Sequence, residues 1–365
     1  MTVATGRNTG ANAEDSGGDG HEPAPSNRIR TINLALQGGG AHGAFTWGVL
    51  DRLLDEKDLA FEGISATSAG AMNAATFAYG FAVDGRDGAR RALAGYWKRV
   101  SDAAKLGPLQ PSPIDQMLKD HKLAWSPVFS LVGFVTRVLS PYEFNPADFN
   151  PLRDVVEQSI DFEVLRRSDC PVKLFLSATN VRTGKVKIFA GEEISASAVM
   201  ASACLPSMFH AVEIDGEAYW DGGYMGNPAL FPIIYNCKSN DIVIVHINPL
   251  FRKEVPRSAE DILNRINEIS FNSTLMREMR AVSFVTKLIT QGRIVAGDPL
   301  RRMLIHSITD DEFMNSLSSL SKYNADWEFL TFLRDQGRKC ADNWLVNNFA
   351  KLGVESSVDI DQMYL

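Results

Sequence analysis

From residue 29 onward the chain alternates short apolar runs with longer segments whose apolar positions recur at helical spacing. Thr31 to Leu36 is a run of apolar and β-forming residues that Gly38, Gly39 and Gly40 end abruptly. Phe45, Val49, Leu50, Leu53 and Leu54 then recur three or four apart, which predicts a helix beginning near Ala41. Phe61 to Ala66 reads as a second strand, Ala71 to Ala75 as the narrow start of a helix, and Ala89 to Val100 as a helix with Leu93, Tyr96, Trp97 and Val100 on one face. Further along, Asp154 to Phe162 reads as a helix and Val172 to Ala178 as a buried strand. Thr183-Gly184 turns the chain into Val186 to Phe189, a hairpin. Ser195 to Cys204 is a helix of small residues stopped by Pro206, and Asp215-Gly216 joins Ala211–Ile214 to Ala218–Trp220 in a second hairpin. Asp241 to Ile247 is another buried strand, Ser258 to about Thr290 a long helix, and residues 323 to 352 a helical pair. Strands alternating with helices predict an α/β domain.

Composition narrows the class. The 365 residues are 45% hydrophobic, enough for one large core or two modest ones. With 44 acidic against 37 basic side chains the net charge is -7, and no basic cluster offsets it, so a nucleic-acid partner is not expected. Cys170, Cys204, Cys237 and Cys340 lack the paired spacings of a zinc site and read as thiols of a reducing compartment. Residues 1 to 27 are polar and glycine-rich, a disordered tail without the apolar core of a signal peptide. No later run reaches the roughly 18 apolar residues that span a bilayer. The expectation is therefore a cytoplasmic protein, soluble or peripheral at a membrane, with no metal and no cofactor.

The glycine loop admits two chemistries. N–H groups at a glycine turn and in the first helical turn lack intrahelical partners and favour negative charge. That charge is a pyrophosphate if Gly38, Gly40 and Gly43 form the dinucleotide fingerprint. The fingerprint also wants an acidic residue at the end of the next strand, where this chain carries Thr67 and Ser68. It is instead an oxyanion if Ala66-Thr67-Ser68-Ala69-Gly70 is a nucleophile elbow, since small residues flank a serine between strand and helix. The plainer reading of Ser68 is a helix cap. Asp221, at the end of the second hairpin and followed by Gly222 and Gly223, is either a turn residue or a carboxylate able to take a proton from that serine.

Three motifs in this order, the glycine loop Gly38-Gly39-Gly40-Ala41-His42-Gly43, the elbow Ala66 to Gly70 and Asp221-Gly222-Gly223, resemble those of the patatin-like phospholipase family. The likeness covers about residues 30 to 250. It implies a three-layer α/β/α fold with a mostly parallel central sheet, here followed by a helical C-terminal extension over 251–365. It also implies a Ser68-Asp221 dyad, an oxyanion hole in the glycine loop, a lipid or acyl-ester substrate and transient contact with a membrane surface. Two positions depart from the family pattern: Ala66 stands where glycine is usual, and His42 where arginine or lysine is common. If His42 tunes the hole, Ser68 chemistry carries an added titration at about pH 6 to 7. Within a proline-rich insertion at 105–151, the apolar stretch Trp125 to Leu139 is either a lid or ordinary core. Two rivals stand beside the dyad. One is a Ser-His-Asp triad using His246 or His306, and the other is a catalytically silent binding module of the same fold.

Overall fold

A computed structural model describes residues 29–105, 139–297 and 300–365. The tail at 1–27 and nearly all of Trp125 to Leu139 lie outside the described residues.

Eight strands form one sheet in the order β5-β6-β3-β2-β1-β7-β8, with β4 paired to β3. The strands are β1 (Arg30–Leu36), β2 (Leu59–Ala66), β3 (Lys173–Asn180), β4 (Val186–Ala190), β5 (Val212–Ile214), β6 (Glu217–Asp221), β7 (Asp241–Val245) and β8 (Leu304–Ile308). β3, β2, β1, β7 and β8 run parallel; the β3–β4, β3–β6 and β5–β6 pairs are antiparallel. Parallel strands buried on both faces read as continuous apolar runs, which is why β7, DIVIV, was legible as a core strand.

The alternation within β1 divides the core. Ile32, Leu34 and Leu36 face one apolar cluster with α1 (Gly43–Leu53), α2 (Ala69–Ala104) and the later helix Trp327–Asn348. Ala35, with Ile242 and Ile244 of β7, faces a second cluster that includes Ile233, Leu275, Met279 and Tyr364 from the other side. Helices thus cover both faces of a mostly parallel sheet, the three-layer arrangement expected. Between α2 and β3 lie α3 (Pro141–Phe144), α4 (Pro151–Ser159) and α5 (Phe162–Arg166). Then come α6 (Ala196–Ser202), α7 (Phe231–Asn236), α8 (Ala259–Thr290), α9 (Asp311–Ser316), α10 (Trp327–Asn348) and α11 (Ile360–Tyr364).

α2 holds two helices, as the sequence reading has them: Asp84 and Gly85 leave helical geometry between them, and Gly80 and Gly88 bring the two close together. Two details differ from the sequence reading. Residues 323–352 hold a single long helix, α10, rather than a pair, because no glycine-proline break interrupts its apolar face. Among the C-terminal helices, Leu304–Ile308 adds a fifth parallel strand beside β7. Its two polar residues, His306 and Ser307, are buried and hide its strand character from an apolar-run criterion.

Candidate active site

Register brings the candidate residues to one edge. Leu36 pairs with Ala66 and with Val245, so β1, β2 and β7 end level. The chain leaves them as the glycine loop, the elbow and the segment His246 to Asn248. Ala66 also pairs with Leu176, and β3 continues two residues to Ala178, which pairs with Asp221. The antiparallel β6 therefore ends near the carboxyl edge of the parallel strands, where ligands of open α/β sheets bind.

Ser68 occupies the turn between β2 and α2 at φ 57°, ψ -126°, a left-handed conformation that a non-glycine residue holds only when its surroundings enforce it. From residue 63 to 78 it is the only residue that is not buried. Its side chain makes no cap hydrogen bond to the helix, which removes the plain capping explanation. Instead its backbone N–H donates to Ser202 Oγ at 2.9 Å, and Thr67 Oγ1 donates to Gly226 O at 2.5 Å, so the turn is tied both to α6 and to the segment that follows Asp221. Ser202 ends the small-residue helix α6 and gave no sequence signal beyond the narrowness of that helix. Ala66 is fully buried, ends β2 in regular pairing and lies outside the left-handed region, so its methyl group costs the turn nothing visible.

Asp221 is 1% exposed. Its Oδ1 accepts the Gly223 N–H at 2.7 Å, while Oδ2 has no hydrogen-bond partner among the described residues. Burial pushes its pKa up from 3.8 to about 6; the Gly223 N–H and the nearby Ser68 hydroxyl oppose that rise. Ser68 thus lies near enough to favour the ionised carboxylate. Nearby Cys204, whose carbonyl accepts the Asp221 N–H, is an inert thiol with its pKa pushed up to about 12 by burial.

The glycine loop passes directly over the serine. A Cβ at Gly38 would lie 2.5 Å from Ser68 Cβ, so only glycine permits this approach. Gly38 itself is fixed at both ends: its N–H donates to Asn227 Oδ1 at 2.7 Å and its carbonyl accepts from Asn248 Nδ2 at 2.8 Å. Its N–H is therefore already used within the fold. Gly40–His42 forms a single 3-10 turn, with Gly40 exposed and Ala41 half-buried.

His42 points elsewhere. It is buried, its Nε2 pairs with Ser321 Oγ at 2.7 Å, and its ring meets Phe329 edge-on. Burial, with a smaller contribution from Lys322, pulls its pKa down to about 3, so the expected titration at about pH 6 to 7 does not arise from His42. The other described histidines are also engaged away from the site. His246 Nε2 pairs with Tyr364 at 2.9 Å, His306 Nε2 with Asp241 at 3.0 Å, and His210 Nε2 with the Pro141 carbonyl at 3.1 Å. No described imidazole bonds to Ser68 or Asp221, so the triad rival finds no base in His246, His306 or any other described histidine. Among the described residues no group of three histidine, cysteine or acidic side chains suits a metal ion, and no helix is long and apolar enough to cross a membrane.

The family model of the patatin-like phospholipases matches residues 34–233, which span β1 to α7 and contain all three motifs. The chain belongs to the patatin-like phospholipase family. Membership supports lipid hydrolase activity in general and a lipid substrate. Among solved structures, VipD from Legionella pneumophila is 14% identical, with a TM-score of 0.37 over 87% of this chain and 67% of that one. The type III effector ExoU is 15% identical, with a TM-score of 0.31 over 87% of this chain and 53% of that one. The complex of SpcU with ExoU from Pseudomonas aeruginosa gives 14%, 0.30 and the same coverage. The chain thus spans about half the length of ExoU. No curated protein matches it.

Proposed function

We propose that this chain hydrolyses lipid carboxylic esters, as a phospholipase A or lysophospholipase-like esterase, through an acyl-enzyme on Ser68. The observation that carries the reading is a serine in a left-handed turn, lying between a glycine loop and a buried carboxylate that holds its proton unusually well. Ser68 Oγ attacks the ester carbonyl while Asp221 takes the hydroxyl proton. The N–H groups of Gly39, Gly40 and Ala41 receive the oxyanion, each donor contributing about 3 kcal/mol in comparable sites. The tetrahedral intermediate collapses, the alcohol leaves with the proton from Asp221, and water activated by the same carboxylate releases the fatty acid. Residues 251–365 act as an extension packed on the catalytic unit, and contact with the lipid surface is transient.

Fluorophosphonate labelling tests the reading, because the reagent needs an activated serine rather than a capping one. Wild type is expected to label and Ser68→Ala not, with release of fatty acid from a mixed panel of lipids lost in parallel. Equal labelling of the two proteins would leave the silent binding module as the better account.

A further inference from the structure

The glycine loop is held by an element that lies far from it in the sequence. The 3-10 segment Ser319–Tyr323 lies against it. Ser321 Oγ bonds to His42, and the Lys322 carbonyl occupies the space a side chain at Gly40 would need, 2.5 Å from its Cβ position. From the same segment Lys322 Nζ donates to Asn248 Oδ1 at 3.2 Å, and Asn248 Nδ2 donates to the Gly38 carbonyl at 2.8 Å. Asn248 is fully buried and has little freedom to do otherwise. Gln37 Oε1 accepts its backbone N–H at 3.0 Å, and Asn272 Nδ2 reaches its carbonyl at 3.5 Å.

We propose that Asn248 and Lys322 are positioning residues that fix and polarise the Gly38–Gly39 peptide, so that a cation from the C-terminal extension strengthens the oxyanion donors of the loop. This rests on the acyl-enzyme reading above. In a trans peptide the carbonyl and the following N–H point opposite ways. Asn248, by holding the Gly38 oxygen, therefore holds the Gly39 N–H on the far side of the same plane. The charge at the end of the chain polarises each link in turn, making the Gly39 N–H a stronger donor. Donors already in place when charge develops are what an oxyanion hole requires. His42, neutral and turned toward Ser321, leaves this role to Lys322. Burial lowers the Lys322 pKa and Arg252 adds to the fall, while Glu268, itself committed to Arg252 at 2.6 Å, opposes it and favours the ammonium.

The test compares wild type, Lys322→Met, Lys322→Arg and Asn248→Asp on a fluorogenic medium-chain ester, with Ser68→Ala as the blank. Binding of two non-hydrolysed probes is measured alongside: a trifluoromethyl ketone, which forms an oxyanion on the serine, and the matching ether, which does not. Lys322→Met is expected to lower kcat roughly 10- to 100-fold with KM within about two-fold. It should weaken the ketone by the same factor, leave the ether unchanged and melt near wild type. Lys322→Arg should recover most of the loss, and Asn248→Asp, which sets a carboxylate against the Gly38 oxygen, should lose at least as much. If Lys322→Met keeps wild-type kcat, or loses ketone and ether affinity together, the relay is not a positioning device. Wild type hydrolysing no faster than Ser68→Ala would instead overturn the acyl-enzyme reading itself.

Discussion

Asp221 is a carboxylate kept out of water with one oxygen lacking a hydrogen-bond partner among the described residues, and two consequences follow from its pKa of about 6. In its proposed role as base it must be ionised, so kcat/KM is expected to fall about ten-fold per pH unit below that value. One titration near 6 should account for the acid limb, and His42→Gln should not move it, since His42 stays neutral to about pH 3. The second consequence concerns stability. A folded-state pKa raised above the ordinary 3.8 favours the protonated native state below that value, and the advantage disappears as pH rises through about 6. At neutral pH the ionised group therefore costs the fold roughly 3 kcal/mol. Asp221→Asn should abolish hydrolysis yet melt several degrees higher than wild type at about pH 8, the gap closing by about pH 4. Thermal melts across that range check it, and a lower melting temperature at alkaline pH would contradict the burial argument.

At the scale of elements, what positions the site is how closely helices approach one another. α1 carries the end of the glycine loop and crosses α10 where Gly48 and Gly337 face each other's backbone. A side chain at Gly48 would run into the Arg334 carbonyl, and one at Gly337 into that of Phe45, neither able to move without displacing a helix. Above the crossing, Arg334 lies over the Trp47 ring with its centroid 5.1 Å from the guanidinium carbon. Gly337→Val is therefore expected to destabilise the protein by more than 3 kcal/mol, in the range of severe overpacking, and to reduce soluble yield. Gly337→Ala should show a smaller drop in melting temperature in the same series. A Gly337→Val protein melting within a few degrees of wild type would mean the two helices are free to part. Neither glycine announces this in the sequence, because a close crossing depends on two residues nearly 290 positions apart.

For the whole molecule, the C-terminal third completes the structure instead of decorating it. β8 covers the edge of β7, whose five residues are all buried, and α8 and α11 cover the second face of the sheet. A chain cut after residue 250 would expose the β7 edge and the face carrying Ile242 and Ile244, a combination that promotes edge-to-edge association. Such a truncation is expected to aggregate, judged by size-exclusion chromatography and light scattering. A monomeric, folded 28–250 fragment would instead establish the catalytic unit as self-sufficient.

The order of strands and helices, the sharp turn at Ser68 and the candidate acid at Asp221 could be read from the chain. Each depends on local physics: apolar period, glycine at a turn, small residues around a strained serine. β8 could not, because its buried His306 and Ser307 are satisfied or sheltered only by distant neighbours. The same limit applies to His42. Its sequence position placed it in an oxyanion loop, and only packing against Phe329 and Ser321 turned it neutral and away from that role. Asn227, Asn248, Ser202 and Lys322 carry no local signature at all: the first three bond to the loop and elbow across 134 to 210 residues, and Lys322 bonds to Asn248 across 74. Sequence by itself determined which residues form the turns, because backbone conformation is chosen locally. Tertiary structure decided which groups hold those turns in place and at what charge, because burial and hydrogen-bond partners are properties of the assembled fold.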